Sequence, residues 1–177
     1  MGGVAKGNLE LASGERLITR LLAECRRAVP GAALVFVGMA DAYADLGVPA
    51  LADAPAGVGP LGGLRALLLF ARDAGHEAVL ALACDLPYLD ASLVERLARE
   101  APGAAFLAPR AGELWQTLCA RYSLAALAAV DATLGAGERA LQRVVLRLGE
   151  GAFELAIDAA DARKLRDWDT PGDRASS

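Results

Sequence analysis

The chain has 177 residues, 55% of them apolar, and a net charge of −4, with a sequence pI of about 5.1. That length suits a single domain, residues 1–177, able to bury its own core without disulfide staples. The acidic balance speaks against non-specific nucleic-acid binding, and the longest charge-free run, 28–40, is broken by Pro30 and Gly31, so no membrane span is expected.

Ser13-Gly14-Glu15 opens a helix in which Leu17, Ile18, Leu21, Leu22, Cys25 and Val29 recur at helical spacing until Pro30-Gly31 stops it. AALVFVG (32–38) is a short apolar run that reads as a buried strand, and VPAL (48–51) reads as a second. LADAPAGVGPLGG (51–63) is too rich in Gly and Pro to be anything but a loop, and LRALLLFARDAG (64–75) is helical. EAVLALACDLP (77–87) is the clearest buried strand, with Asp85 at its C-terminal end. Asp90 or Ser92 caps the helix SLVERLAREA. AAFLAP and LWQTLCARYS read as strands, SLAALAAVDATLG and ERALQRVVLRL as helices, and FELAID as a last strand. DWDTPGD closes the ordered part, with 174–177 a frayed tail. Helices alternating with apolar strands predict an α/β fold with a mostly parallel sheet covered on both faces.

Cys25, Cys84 and Cys119 lie too far apart in sequence for a zinc motif and read as free thiols of a reducing cytoplasm. The single histidine, His76, reads as a surface residue of the bend RDAGHEA. Open parallel sheets bind ligands beyond the carboxyl ends of their strands, which draws attention to Asp85. A carboxylate there either serves a hard cation such as Mg²⁺ or caps the following turn. The glycine loop around Asp53, Gly57, Gly59, Pro60, Gly62 and Gly63 either lets backbone approach a base or phosphate, or is only a tight connection. Lys6 is suited to a triphosphate, although a lone lysine is more often a surface charge. GxxxxGK[ST] does not occur, so a Walker-type NTPase is not indicated.

Taken in order, MGGVAKGNLEL, GPLGGL, CDLPYL, LWQTLCARYS, LGAGERALQRV and DWDTPGD resemble the motifs of the molybdenum cofactor guanylyltransferase family. The likeness covers nearly the whole chain. It implies a three-layer α/β/α Rossmann-like nucleotidyltransferase fold and Mg²⁺-dependent transfer of GMP from GTP to molybdopterin, releasing pyrophosphate. By this resemblance Gly3 meets the nucleotide, Lys6 its phosphates, Asp53 the nucleoside, Asp85 the metal, and Gly59, Pro60, Gly62 and Gly63 line the guanine pocket. Proteins that deliver molybdopterin or accept the product are implied as partners.

Three features depart from the family pattern. Its first strand and LAGGxSxR loop have no counterpart here, so the resemblance implies an in-frame segment of roughly fifteen residues upstream of Met1, or else a shortened, impaired relative. Ala5 stands where the family has an acidic residue. Asp167 and Asp169 replace asparagines, which is closer to cytidylyltransferases; they serve as further metal ligands or as plain surface residues. Cytidylyl transfer, or transfer to a sugar phosphate, is therefore the alternative reading.

Overall fold

The computed structural model describes residues 6–38 and 40–166. Helix α1 (Leu17–Ala28) buries Leu17, Ile18, Leu21 and Leu22, as the spacing of its apolar residues predicts. β1 (Phe36–Val37) pairs in parallel with β2 (Ala50–Leu51). Then come α2 (Pro60–Asp73), β3 (Ala78–Leu82), α3 (Ala91–Arg99), β4 (Phe106–Ala108) and the hairpin of β5 (Arg110–Ala111) with β6 (Leu114–Trp115). β7 (Cys119–Ser123), α4 (Ala126–Gly135), α5 (Leu141–Leu148), β8 (Ala152–Glu154) and α6 (Ala159–Lys164) follow.

The larger sheet has the strand order β3-β7-β4-β8. β7 is antiparallel to both β3 and β4, and β4 is parallel to β8, so β3, β4 and β8 share one direction. The sheet is mostly parallel with β7 reversed. Its strands alternate strictly between two cores, as a two-residue period requires. Val79, Ala81, Phe106, Ala108, Ala120 and Tyr122 face the core built with α2, α4 and α5. Leu80, Leu82, Leu107, Cys119 and Leu155 face the core built with α1 and α3. Those are the three layers that the sequence predicts.

Several boundaries differ from the sequence expectation. Helix α2 begins at Pro60, four residues before the expected Leu64. Gly59, at φ +67°, turns the chain into it, and Pro60 at the first helical position needs no N–H partner. LWQTLCARYS is two strands. The N–H groups of Thr117 and Cys119 bond to Trp115 and Gln116 carbonyls at 3.0 and 2.9 Å, making a turn between β6 and β7. The Trp115 ring meets Phe106 edge-on at 5.4 Å. AALVFVG contributes only Phe36 and Val37 to a strand, and Leu80 and Leu82 of β3 are half-buried rather than fully buried.

The physical reason is a shared edge. Among the described residues no strand pairs with both β1 and β3, and the two border one cleft of about 1000 Å³. Leu21 and Leu22 of α1 and Leu64 and Leu67 of α2 supply its apolar walls. The register of β3 on β7, extended by the bonds of Leu124 to Glu77 and Ala83 to Leu118, points the backbone groups of Ala78, Leu80 and Leu82 away from β7.

Side chains secure the helix ends. Asp90 caps α3, accepting the Leu93 N–H at 3.0 Å, and pairs with Lys164 of α6 at 2.8 Å. Arg121, buried on β7, donates to the Ala98 carbonyl at 3.0 Å and to that of Ala101, closing the C-terminal end of α3. Partial burial opposes ionisation of Asp90, but the Lys164 ammonium and the Leu93 N–H outweigh it and hold the carboxyl below the usual carboxylate range. A depressed pKa makes this contribution present above the unfolded value and lost as pH falls through the folded one. Asp90→Ala should cost about 1 kcal/mol at neutral pH in denaturant melts. The gap to wild type should narrow below about pH 4.

Candidate active site

Lys6 and Asp85 are 79 residues apart in sequence, yet the Lys6 Nζ meets Asp85 Oδ2 at 2.9 Å. Two separate pieces of local structure bring them together. Lys6 opens a short 3-10 turn, Lys6–Asn8, whose Asn8 amide donates to the Ala42 carbonyl at 3.1 Å. Arg16 reinforces this turn with a contact to Asn8 Oδ1 at 3.4 Å and a two-pronged grip on Asp45 at 2.5 and 3.3 Å. The Arg16 bond holds the Asp45 carboxyl below its usual range.

Asp85 begins the turn after β3, and α1 holds that turn. Arg20 donates to the Pro87 and Leu89 carbonyls at 2.7 and 3.1 Å, and Glu24, itself buried, accepts the Ala91 N–H at 2.8 Å. Leu86 and Leu89 are buried beneath it. The Asp85 side chain is 19% exposed and that of Lys6 45% exposed, so the carboxylate is sheltered while the amine reaches solvent.

Asp85 lines the cleft between β1 and β3, together with Asp53, Gly59, Pro60 and Gly63. Lys6 reaches this rim through its bond to Asp85. Gly62 is placed differently. It is buried, and a Cβ there would collide with the Pro55 carbonyl oxygen and stand 2.9 Å from Val58 Cγ2. A Cβ on Gly63 would stand 2.9 Å from Val37 Cγ1 and 3.3 Å from Asp53 Oδ1. These two glycines let the first turn of α2 lie against the preceding loop and β1. Gly3, Asp167 and Asp169 lie outside the described residues.

Sequence reasoning passed over Tyr43. Its hydroxyl accepts the Gly7 N–H at 3.2 Å and lies 3.8 Å from Cys84 Sγ, between the two turns. Burial, then the Cys84 sulfur, push its pKa up to about 12, so it stays a protonated donor. In the sequence it is one aromatic residue in the polar stretch ADAYADLG, with no periodic pattern to mark it.

Chemically, the rim offers a sheltered carboxylate, an amine, and glycine backbone at the start of a helix. Among the described residues no group of three or more His, Cys, Asp or Glu could hold a metal ion. A lone strand-end carboxylate fits Mg²⁺, which takes one or two carboxylates and completes its shell with phosphate oxygens and water. Gly62→Ala should destabilise the chain by about 1–3 kcal/mol in thermal melts, because the added methyl meets backbone. Gly103→Ala, whose Cβ would meet open space, should stay within about 0.5 kcal/mol of wild type.

Residues 1–152 match the family model described as the MobA-like NTP transferase domain. A molybdenum cofactor guanylyltransferase of Pseudomonas fluorescens is 35% identical over 175 residues, covering 97% of this chain and 84% of that protein. Molybdopterin-guanine dinucleotide biosynthesis protein A from Archaeoglobus fulgidus overlays with a TM-score of 0.75 at 21% identity, covering 99% of this chain and 92% of that one. The 2-C-methyl-D-erythritol 4-phosphate cytidylyltransferase of Thermus thermophilus gives 0.73 at 19% identity, covering 98% and 92%. At those identities the two structures establish the fold.

Proposed function

Because the chain belongs to the MobA-like NTP transferase domain family, we propose that it transfers GMP from GTP to molybdopterin and releases pyrophosphate. The observation that carries this reading is the meeting of Lys6 and Asp85 at 2.9 Å, on a cleft that Asp53, Gly59 and Gly63 also line. In this reading an oxygen of the pterin's terminal phosphate bonds to the α-phosphorus of GTP, and the bond from that phosphorus to the oxygen bridging the α- and β-phosphates breaks, that oxygen leaving on pyrophosphate. The nucleophile is already ionised, so the chain has to position two polyanions and offset their charge. Lys6 donates hydrogen bonds to phosphate oxygens. Asp85 would hold Mg²⁺, which when bound would supply Lewis-acid polarisation of the phosphates. Asp53, Gly59, Pro60 and the first turn of α2 receive the nucleoside, with Gly62 shaping that turn from behind. Gly3 keeps the nucleotide-binding role that the resemblance implies, and Asp167 and Asp169 stay open between further metal ligands and plain surface residues.

A cytoplasmic setting accords with three free thiols. No helix among the described residues is long and apolar enough to cross a membrane. Proteins that hand over molybdopterin or collect the dinucleotide belong to the same reading.

The test is pyrophosphate release by the purified chain with GTP, Mg²⁺ and molybdopterin. Asp85→Ala and Lys6→Ala should each lower turnover by about 100-fold or more, with circular dichroism unchanged. Full activity in Asp85→Ala would remove that carboxylate from the reaction. Turnover with CTP but not GTP would move the assignment to cytidylyl transfer. Nucleotide binding without pyrophosphate release would make the chain a binding protein.

A further inference from the structure

Lys6 and Asp85 sit on separate turns, and their ion pair is half open to water. A pair of that kind does not by itself fix two mobile side chains in one geometry. Something else has to set the distance between the two turns. The structure assigns this to Tyr43, as the positioning residue that registers the Lys6 turn against the Asp85 turn; the assignment rests on the function proposed above.

The hydroxyl of Tyr43 makes one bond to each side. It accepts the N–H of Gly7, the neighbour of Lys6, at 3.2 Å. It donates to the sulfur of Cys84, the neighbour of Asp85, at 3.8 Å. One oxygen therefore links the Gly7 backbone N–H to the Cys84 side chain, the immediate neighbours of the site's amine and carboxylate. The ring is fixed independently of the hydroxyl: it is buried and lies 4.9 Å from the Phe36 ring of β1. Its backbone neighbours grip the same turn, through the Asn8 amide on the Ala42 carbonyl and through Arg16 between Asn8 and Asp45.

The fit on the Lys6 side leaves no slack. Gly7 is buried, and a Cβ there would stand 2.6 Å from Tyr43 Oη and 3.1 Å from Ile18 Cβ. Glycine is needed because the hydroxyl occupies the space a side chain would fill. A tyrosine serving only as core filler would have no use for an oxygen wedged between the Gly7 N–H and the Cys84 sulfur. The phenol stays protonated across the physiological range and can donate to sulfur while accepting from nitrogen.

Tyr43→Phe isolates the proposal, since it keeps the ring and deletes the oxygen. Two readouts are combined, the hydrogen-exchange protection of the Gly7 amide by NMR and the steady-state kinetics of pyrophosphate release. Gly7 protection should fall about tenfold, the size of one neutral hydrogen bond. kcat should fall by about the same factor while KM for GTP changes less than about twofold, because the loss is in alignment and not in nucleotide contacts. A merely structural tyrosine would lower the melting temperature and leave that split untouched. Unchanged Gly7 protection, or a wild-type kcat in folded Tyr43→Phe, overturns the assignment. Should Tyr43→Phe not fold, Gly7→Ala displaces the hydroxyl with the tyrosine retained, and the same fall in kcat at constant KM is required of it. Absence of pyrophosphate release in wild type counts against the function proposed above, whereas the exchange rate of Gly7 still decides whether Tyr43 holds the turn.

Discussion

The contact between Lys6 and Asp85 depends on two turns from opposite ends of a long stretch of chain arriving at one rim. Neither turn is rigid alone. One is a single 3-10 turn, the other the short run between β3 and α3. Each is fastened by side chains of other elements: Arg20 and Glu24 of α1 hold the Asp85 turn, while the segment at 42–45 and Arg16 hold the Lys6 turn. The charges of the rim are thus placed largely by hydrogen bonds to backbone carbonyl and N–H groups, with the Arg16–Asp45 ion pair beside them.

Two alternating cores stand behind this arrangement. β3, β7 and β4 send successive side chains to opposite faces, and helices on both sides cover them. This keeps the carboxyl ends of β3 and β4 on one edge even though β7 runs the other way. Asp85 stands at that edge because it is the first acidic residue after an unbroken apolar and small run, where burial ends and solvent begins.

Much of this was legible in the sequence. Helical spacing placed α1, a capping aspartate placed α3, and an apolar run ending in a carboxylate marked the edge of the sheet. The order of motifs identified the family. Other features depend on tertiary contacts that no local pattern encodes. The start of α2 moved to Pro60 because Gly59 adopts a backbone conformation that composition alone does not reveal. The break between β6 and β7 follows from Trp115 folding onto Phe106, a partner nine residues earlier in sequence. The half-exposed face of β3 follows from the cleft beside it. Tyr43 was invisible because its importance lies in what its oxygen touches. Lys6 and Asp85 could be named separately, but only the folded chain brings them into contact.

Helix α1 has a double position that carries a mechanical consequence. One face of it walls the apolar cleft through Leu21 and Leu22, while Arg20 and Glu24 reach out to the turn that bears Asp85. The same rod therefore serves the apolar wall and the Asp85 turn at once, so a substitution that displaces it is felt in both places.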